Sequence, residues 1–366
     1  MAALKEVYSP DYYKRLADAL EKSLPSFSKA DFFDRIFTKD FAGKELKERM
    51  RHTSIVLHGF MPAKFSEAVP VLCDTIKELN KSRQGYDRLA SMFFGDYVEV
   101  YGTDDFKSSV KAMEAITQYA SCEFAVRPFL MKYFERMMEQ MQKWVHHKNE
   151  EVRRLASEGC RPRLPWAMAI LSLKKDPSPI FPILEMLKND PSAYVRRSVA
   201  NNLNDISKDH PQLVLNIAKK WSGNNPQTDA IVKHGCRSLL KKGHGEILEH
   251  FGLNAVGLRL TNFNIHTPEV AMGGHLEFSA MIQNKNSTPK KLRLEYAIHF
   301  LKANGTLFKK VFKISERVLH AGEKITVYKK HSFKPITTRV FYPGKHKASL
   351  IINGTASAGK AFTLAI

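Results

Sequence analysis

The spacing of apolar positions divides the chain in two. From the start to about residue 255, hydrophobic side chains recur every three to four residues, as in helices with one buried face. Tyr12, Leu16, Ala19 and Leu20 open the pattern, and Asp31-Phe-Phe-Asp-Arg-Ile-Phe continues it. Amphipathic stretches follow over residues 45–60, 67–79, 105–119 and 131–145. Asp11, Ser28, either Asp104 or Asp105, and further on Asn149 and Asp190 are the N-cap candidates, Pro62 a turn, and Gly95 with Gly102 a break. Beyond about residue 257 the period falls to two. Leu276, Phe278, Ala280 and Ile282 alternate with polar neighbours, and Leu292, Leu294, Tyr296, Ile298 and Phe300 do the same. Further runs cover 307–314, 325–328, 348–352 and 361–366, separated by turn signals such as Asn304-Gly, Pro343-Gly and Asn353-Gly. About seven short strands in about 110 residues predict an immunoglobulin-like or fibronectin-like sandwich. The expected division is a helical region over 1–255 and a sandwich over 256–366.

Inside the helical half one segment repeats. Asn149–Trp166 reads NEEVRRLASEGCRPRLPW, and its first half recurs as DPSAYVRRSVANNL from Asp190 and PQTDAIVKHGCRSLL from Pro226. Aligning Val152, Val195 and Val232 places Arg153, Arg196 and Lys233 in register, with Arg154, Arg197 and His234 beside them. The spacings of 43 and 37 residues lie near the period of about 40–47 of HEAT or armadillo units. One such unit cannot bury its apolar face alone, so copies stack into an α-solenoid with a concave surface. Here that surface is expected to carry cations.

Charge sharpens the picture. The chain holds 57 Lys and Arg against 37 Asp and Glu, a formal balance of +20. Residues 256–366 hold 18 of these basic residues and 5 of the acidic ones, so +13 resides there and +7 in the rest. So basic a small module points to a polyanion, and nucleic acid ahead of an anionic membrane. The charged opening MAALKEVYSPDYYKRLADALEK argues against a signal peptide, and no run approaches 18 apolar residues. A cytoplasmic protein is expected. Cys73, Cys122, Cys160 and Cys236 are scattered without CxxC spacing, so no metal or cofactor is expected, and no intersheet disulfide in the sandwich.

Candidate chemistry clusters around the first repeat. Arginine forks suit phosphate oxygens, which makes Arg153, Arg154, Arg161, Arg163, Arg196, Arg197 and Lys233 candidates for DNA contact. Ion pairs between neighbouring repeats are the competing reading, and the second residue of each pair is the better ligand candidate. Glu158 lies at i+4 from Arg154, so it is either a surface ion pair or part of a site lip completed by Trp166. Glu123, in SCEFAVRPF, is either a helix cap or a functional carboxylate. Asp205, in NNLND, is a further acid. Trp144 and Trp221 read as packing residues.

SCEFAVRPFL, NEEVRRLASEGCRPRLPWA and DPSAYVRRSVANNLNDISKD together resemble the HEAT-like repeat DNA glycosylases of bacterial alkylation repair, in their AlkC branch. The resemblance covers the helical region of about 250 residues, and some members of that branch carry an appended immunoglobulin-like domain. It implies excision of alkylated bases from double-stranded DNA, chiefly 3-methyladenine with 3-methylcytosine as a further candidate, without base flipping. It also implies that Glu123, Glu158 and Trp166 line the active site, with Arg154 and Asp205 as secondary members. An N3-methylated base is cationic, so its glycosidic bond is weak. The reaction then needs negative charge near the sugar and an oriented water. These motifs offer no nucleophilic lysine, which implies a monofunctional enzyme, expected as a monomer. The rival is a non-catalytic HEAT-repeat scaffold that binds nucleic acid through the same face. It leaves the coexistence of Glu123, Glu158 and Trp166 unexplained. No GxSxG, HExxH or P-loop spacing is present to support another hydrolase.

Overall fold

The computed structural model describes residues 4–81, 87–336 and 339–365; Ile366, the end of the last expected strand, lies outside them. Helices occupy the described chain to His250 and strands begin at Leu258. The chain is thus a HEAT-like helical region followed by an immunoglobulin-like β region. The chain also forms two compact units. One holds the chain to His210 with Trp221–Gly235, and the other holds Pro211–Lys220 with everything from Cys236 onward.

Helix starts follow capping chemistry, with two corrections to the sequence reading. Ser28, Asp105 and Asn149 accept backbone N–H groups at the starts of Lys29–Ile36, Phe106–Thr117 and Glu150–Gly159. The first long helix, Pro10–Ser23, is capped by Ser9 rather than Asp11, because Pro10 takes the first helical position, where it loses no hydrogen bond. Ser192 likewise caps Ala193–Ile206, and Asp190 instead accepts the Ser192 N–H at 2.8 Å. Gly95 breaks nothing. It lies within Phe93–Tyr101, and Gly102 ends that helix. The methionine-rich helix expected over 131–145 is two helices, Val126–Lys132 and Phe134–Trp144, joined at Tyr133.

The three repeats pack in sequence, Glu150–Gly159 against Ala193–Ile206 and that helix against Pro226–Gly235. Val152, Val195 and Val232 are all buried, each such side chain contributing roughly 1.5–3 kcal/mol. A side chain at Gly159 would meet Val126 Cγ2 at 2.6 Å, so only glycine lets Glu150–Gly159 approach Val126–Lys132 this closely. Trp144 and Trp221 are core residues whose indole N–H groups donate to Glu114 and Glu185 at 2.8 and 2.9 Å.

The β region forms two sheets. Strands β1 (Leu258–Ile265), β3 (His275–Asn284) and β6 (Lys324–Ser332) make the smaller, in the order β1-β3-β6. The larger runs β2-β9-β7-β4-β5, with β2 at Glu269–Ala271, β4 at Lys290–Leu301, β5 at Leu307–Leu319, β7 at Gly344–Ile352 and β9 at Lys360–Ala365. The short β8 (Thr355–Ala356) pairs with β7. Leu276, Phe278, Ala280 and Ile282 of β3 enter one core with Leu292, Leu294, Tyr296, Ile298 and Phe300 of β4. Asn353 and Gly354 carry φ of 45° and 80° between β7 and β8, which the Asn-Gly pair accommodates. The sequence reading lacks β1, β2 and β8: an irregularity between Leu260 and Asn262 shifts the alternation of β1, and two or three residues are too few to show it in the others.

Candidate active site

The site-forming residues come from three consecutive layers of unit 1: the turn before Val126–Lys132, the helix Glu150–Gly159, and the helix Ala193–Ile206. Arg154 and Glu158 project from one face of the middle helix, four residues apart. Arg154 Nη1 lies 2.7 Å from Glu123 Oε2 and donates to Ser121 Oγ at 3.0 Å. Ser121 in turn donates to Glu123 Oε2 at 2.9 Å. Glu123 therefore belongs to the site's charge network, and Ala125, not Glu123, occupies the N-cap of the following helix.

The network continues inward. Arg154 Nη2 lies 3.5 Å from Glu158 Oε1, the same oxygen that accepts Arg161 Nη1 at 2.5 Å. Glu158 Oε2 accepts Ser198 Oγ at 2.6 Å. Arg161 Nε donates to Asp205 Oδ2 at 2.8 Å, and Lys208 Nζ to Asp205 Oδ1 at 2.9 Å. Glu123, Arg154, Glu158, Arg161, Asp205 and Lys208 thus form a row of alternating sign. Depth increases along its acids, from half-buried Glu123 through Glu158 (4 % exposed) to Asp205 (1 % exposed). Burial pulls the Arg154 guanidinium down, but the carboxylates of Glu123 and Glu158 more than offset this and hold its pKa above the ordinary value. Arg161 is held up in the same way, against burial, by Glu158 and Asp205.

The outer end of the row opens into a hollow of about 530 Å³. Arg88, Ser121, Glu123, Glu151, Arg154 and Tyr194 are among the residues that line it. Tyr194 lies over Arg154, its ring centroid 4.7 Å from the guanidinium carbon. That stacking limits the positions open to the Arg154 fork and leaves its charge facing the two acids.

Trp166 stands on the turn that follows the middle helix. It is 60 % exposed and adopts φ 63°, a left-handed conformation that bulky residues rarely take. Beneath the turn lies Arg127, fully buried, which donates to the carbonyls of Gly159, Arg161 and Met168 at 3.1, 2.9 and 2.7 Å. Burial pushes the Arg127 pKa down to about 10. Sequence reasoning missed this residue, although an arginine among Phe124, Val126 and Phe129 signals a buried guanidinium. Ser121, Ser198 and Tyr194 carried no comparable signal.

The remaining cations separate into engaged and exposed. Arg153 binds Asp190 through Nε and Nη2 at 2.6 and 3.0 Å, and donates to the carbonyls of His147 and Lys148. Arg196 caps the carbonyls of Asp190 and Pro191. Arg161 is buried in the row, and Arg163 pairs with Asp209 at 2.6 Å. Arg197 is exposed and lines, with Arg196 and His234, a groove of about 450 Å³ between the second and third repeats. Lys233 is half-buried on Pro226–Gly235. Among the described residues no group of three or more His, Cys, Asp or Glu could hold a metal. No helix among them is long and apolar enough to cross a membrane.

Similarity to known proteins places this helical array and β region in the class of DNA alkylation repair proteins. Residues 63–237 match the family described as DNA alkylation repair enzyme, and residues 259–366 match that described as the C-terminal Ig-like domain of uncharacterised protein YhaZ. The chain is 45% identical over 355 residues to the uncharacterized protein YhaZ of Bacillus subtilis (strain 168), covering 97% of each. It is 34% identical to the Pseudomonas fluorescens alkylpurine DNA glycosylase AlkC, solved bound to DNA containing an abasic site analog. That match covers 100% of both chains with a TM-score of 0.93. The chain belongs to the YhaZ/AlkC family.

Proposed function

We propose that this chain is a monofunctional DNA glycosylase that hydrolyses the N-glycosidic bond of alkylated bases in double-stranded DNA. We assign 3-methyladenine as its chief substrate, with 3-methylcytosine as a further candidate. The observation that carries the reading is the pair of carboxylates held on either side of Arg154, Glu123 lining an open hollow and Glu158 buried behind it. A base alkylated at N3 leaves as a neutral molecule, so little protonation of the leaving group is needed. Positive charge then develops on the deoxyribose, and fixed carboxylates stabilise it without reorganising. Glu123, the more exposed acid, orients the incoming water. Glu158, pinned by Arg161 and Ser198, supplies fixed negative charge. Asp205 acts through Arg161, which stands between it and Glu158. Trp166 offers its exposed indole to the sugar.

In this reading the hollow serves hydrolysis rather than Schiff-base chemistry. Its openness suits action on the sugar of a lesion left in a bent duplex. Arg197, exposed on the groove between the second and third repeats, is the proposed phosphate contact, while Arg154 stays with the acids. Residues 1–255 form the catalytic domain in this reading, and 256–366, with its excess of +13, is a DNA-binding accessory domain. The protein acts as a monomer in the cytoplasm, at the nucleoid when bound. Incubation with duplex DNA carrying 3-methyladenine or 3-methylcytosine, followed by chromatography of the free base, tests the reading. Release of methylated base is the expected result, and tight binding without release would leave a scaffold.

A further inference from the structure

We infer that Lys47 is a positioning residue that latches the Trp166 turn to the segment carrying Glu123. The inference rests on the reading of Trp166 as a site residue. Left-handed backbone at a tryptophan is unfavourable and persists only where the surroundings hold it. Arg127 holds the turn on both sides of Trp166, through Gly159 and Arg161 before it and Met168 after it. The carbonyl of Trp166 itself is held from elsewhere. Lys47 Nζ donates to it at 2.9 Å. The same ammonium lies 5.3 Å from the ring centroid of Phe124, the residue that follows Glu123. One cation thereby joins the strained turn to the segment bearing the site's outermost acid.

Lys47 occupies the first turn of the helix Leu46–His58, capped by Glu45. That helix precedes residues 63–237, the part that matches the repair-enzyme family. Neighbouring cations are committed differently, Lys44 to Asp40 and Arg51 to Asp96 and Glu99. Arg49 donates to the carbonyls of Lys5, Ala42 and Lys44, all near the start of the chain, whereas Lys47 reaches the distant carbonyl of Trp166. The N-terminal helices thus contribute a part to the site rather than a cap on the array alone.

Fluorescence separates this latch from the proposed chemistry. Trp166 is exposed while Trp144 and Trp221 are buried, so acrylamide quenching reports chiefly on the Trp166 turn, and Trp166→Phe identifies its emission. Lys47→Met keeps the aliphatic stem and removes the donor and the charge. It is expected to raise the quenching constant and to slow single-turnover base release roughly threefold to tenfold, with DNA affinity changed less. Lys47→Arg is expected to restore both. Unchanged quenching in Lys47→Met overturns the latch, and changed quenching with full-speed release overturns its role in positioning. A wild-type protein that releases no base defeats the glycosylase reading, while the quenching comparison still decides whether Lys47 holds the turn.

Discussion

Glu158→Gln isolates the charge of the central acid from its shape. The glutamine carbonyl can still accept from Arg161, and its amide can donate to Ser198 Oγ, a hydroxyl that accepts as well as donates. Packing is therefore retained, and the loss of one charge-assisted hydrogen bond costs about 1.5–3 kcal/mol of stability. Arg154 keeps Glu123 and Arg161 keeps Asp205, so neither guanidinium is left buried without a counter-charge. The chemical step loses a fixed negative group facing a developing cation. Removal of one preorganised group of this kind slows turnover by about 10²–10³-fold. Asp205→Asn acts one position further along the row, by loosening Arg161, and is expected to slow the step about tenfold. Single-turnover release of methylated base, with affinity for abasic-site DNA measured in parallel, checks both. Full-speed release by Glu158→Gln would refute its electrostatic role. Equal losses from the two variants would refute an indirect role for Asp205.

The cations offer a paired test. Arg153→Ala breaks a well-shielded pair with Asp190 and is expected to cost about 3–5 kcal/mol of stability by calorimetry, with the salt dependence of DNA binding unchanged. Arg197→Ala should leave the melting temperature in place and reduce the salt slope of DNA binding by about one. In the β region, Lys309 and Arg317 are exposed on β5, and their joint change to glutamine is expected to lower the slope by about two without loss of fold. An unchanged slope would make the sandwich a bystander. His331 is pushed down to about 4 by burial, with Arg339, Lys310, Lys329 and His275 adding to the shift. Its Nδ1 faces the Tyr296 hydroxyl at 2.9 Å. Because the unfolded chain takes up the proton first, stability is full above about pH 6.5 and falls as the pH drops toward 4. His331→Gln should flatten that part of the pH–stability curve, measured as the unfolding midpoint.

What the sequence disclosed was local. Val152, Val195 and Val232 repeat at a regular interval, and the helical period around each marks a buried face, so the array was readable. The pairing of Arg154 with Glu158 was readable too, for both lie on one helix face. Ser198, Tyr194 and Lys47 reach the same place from about 40 to 119 residues away in the chain, and no period links them. Choices between adjacent residues were equally closed to inspection. Ser9 and Asp11, or Ser192 and Asp190, cap almost equally well in isolation. Pro10 decides the first case and the demand of Arg153 for a carboxylate decides the second.

Repeat arrays usually tolerate the loss, gain or exchange of a unit, since each contacts only its neighbours. The alternating row forbids that freedom here. Its members are drawn from three successive layers, and a one-turn slip of any layer would part the opposite charges that now meet. Exchange of a unit within this stretch is therefore expected to dismantle the row, whereas units toward either end stand free of that constraint.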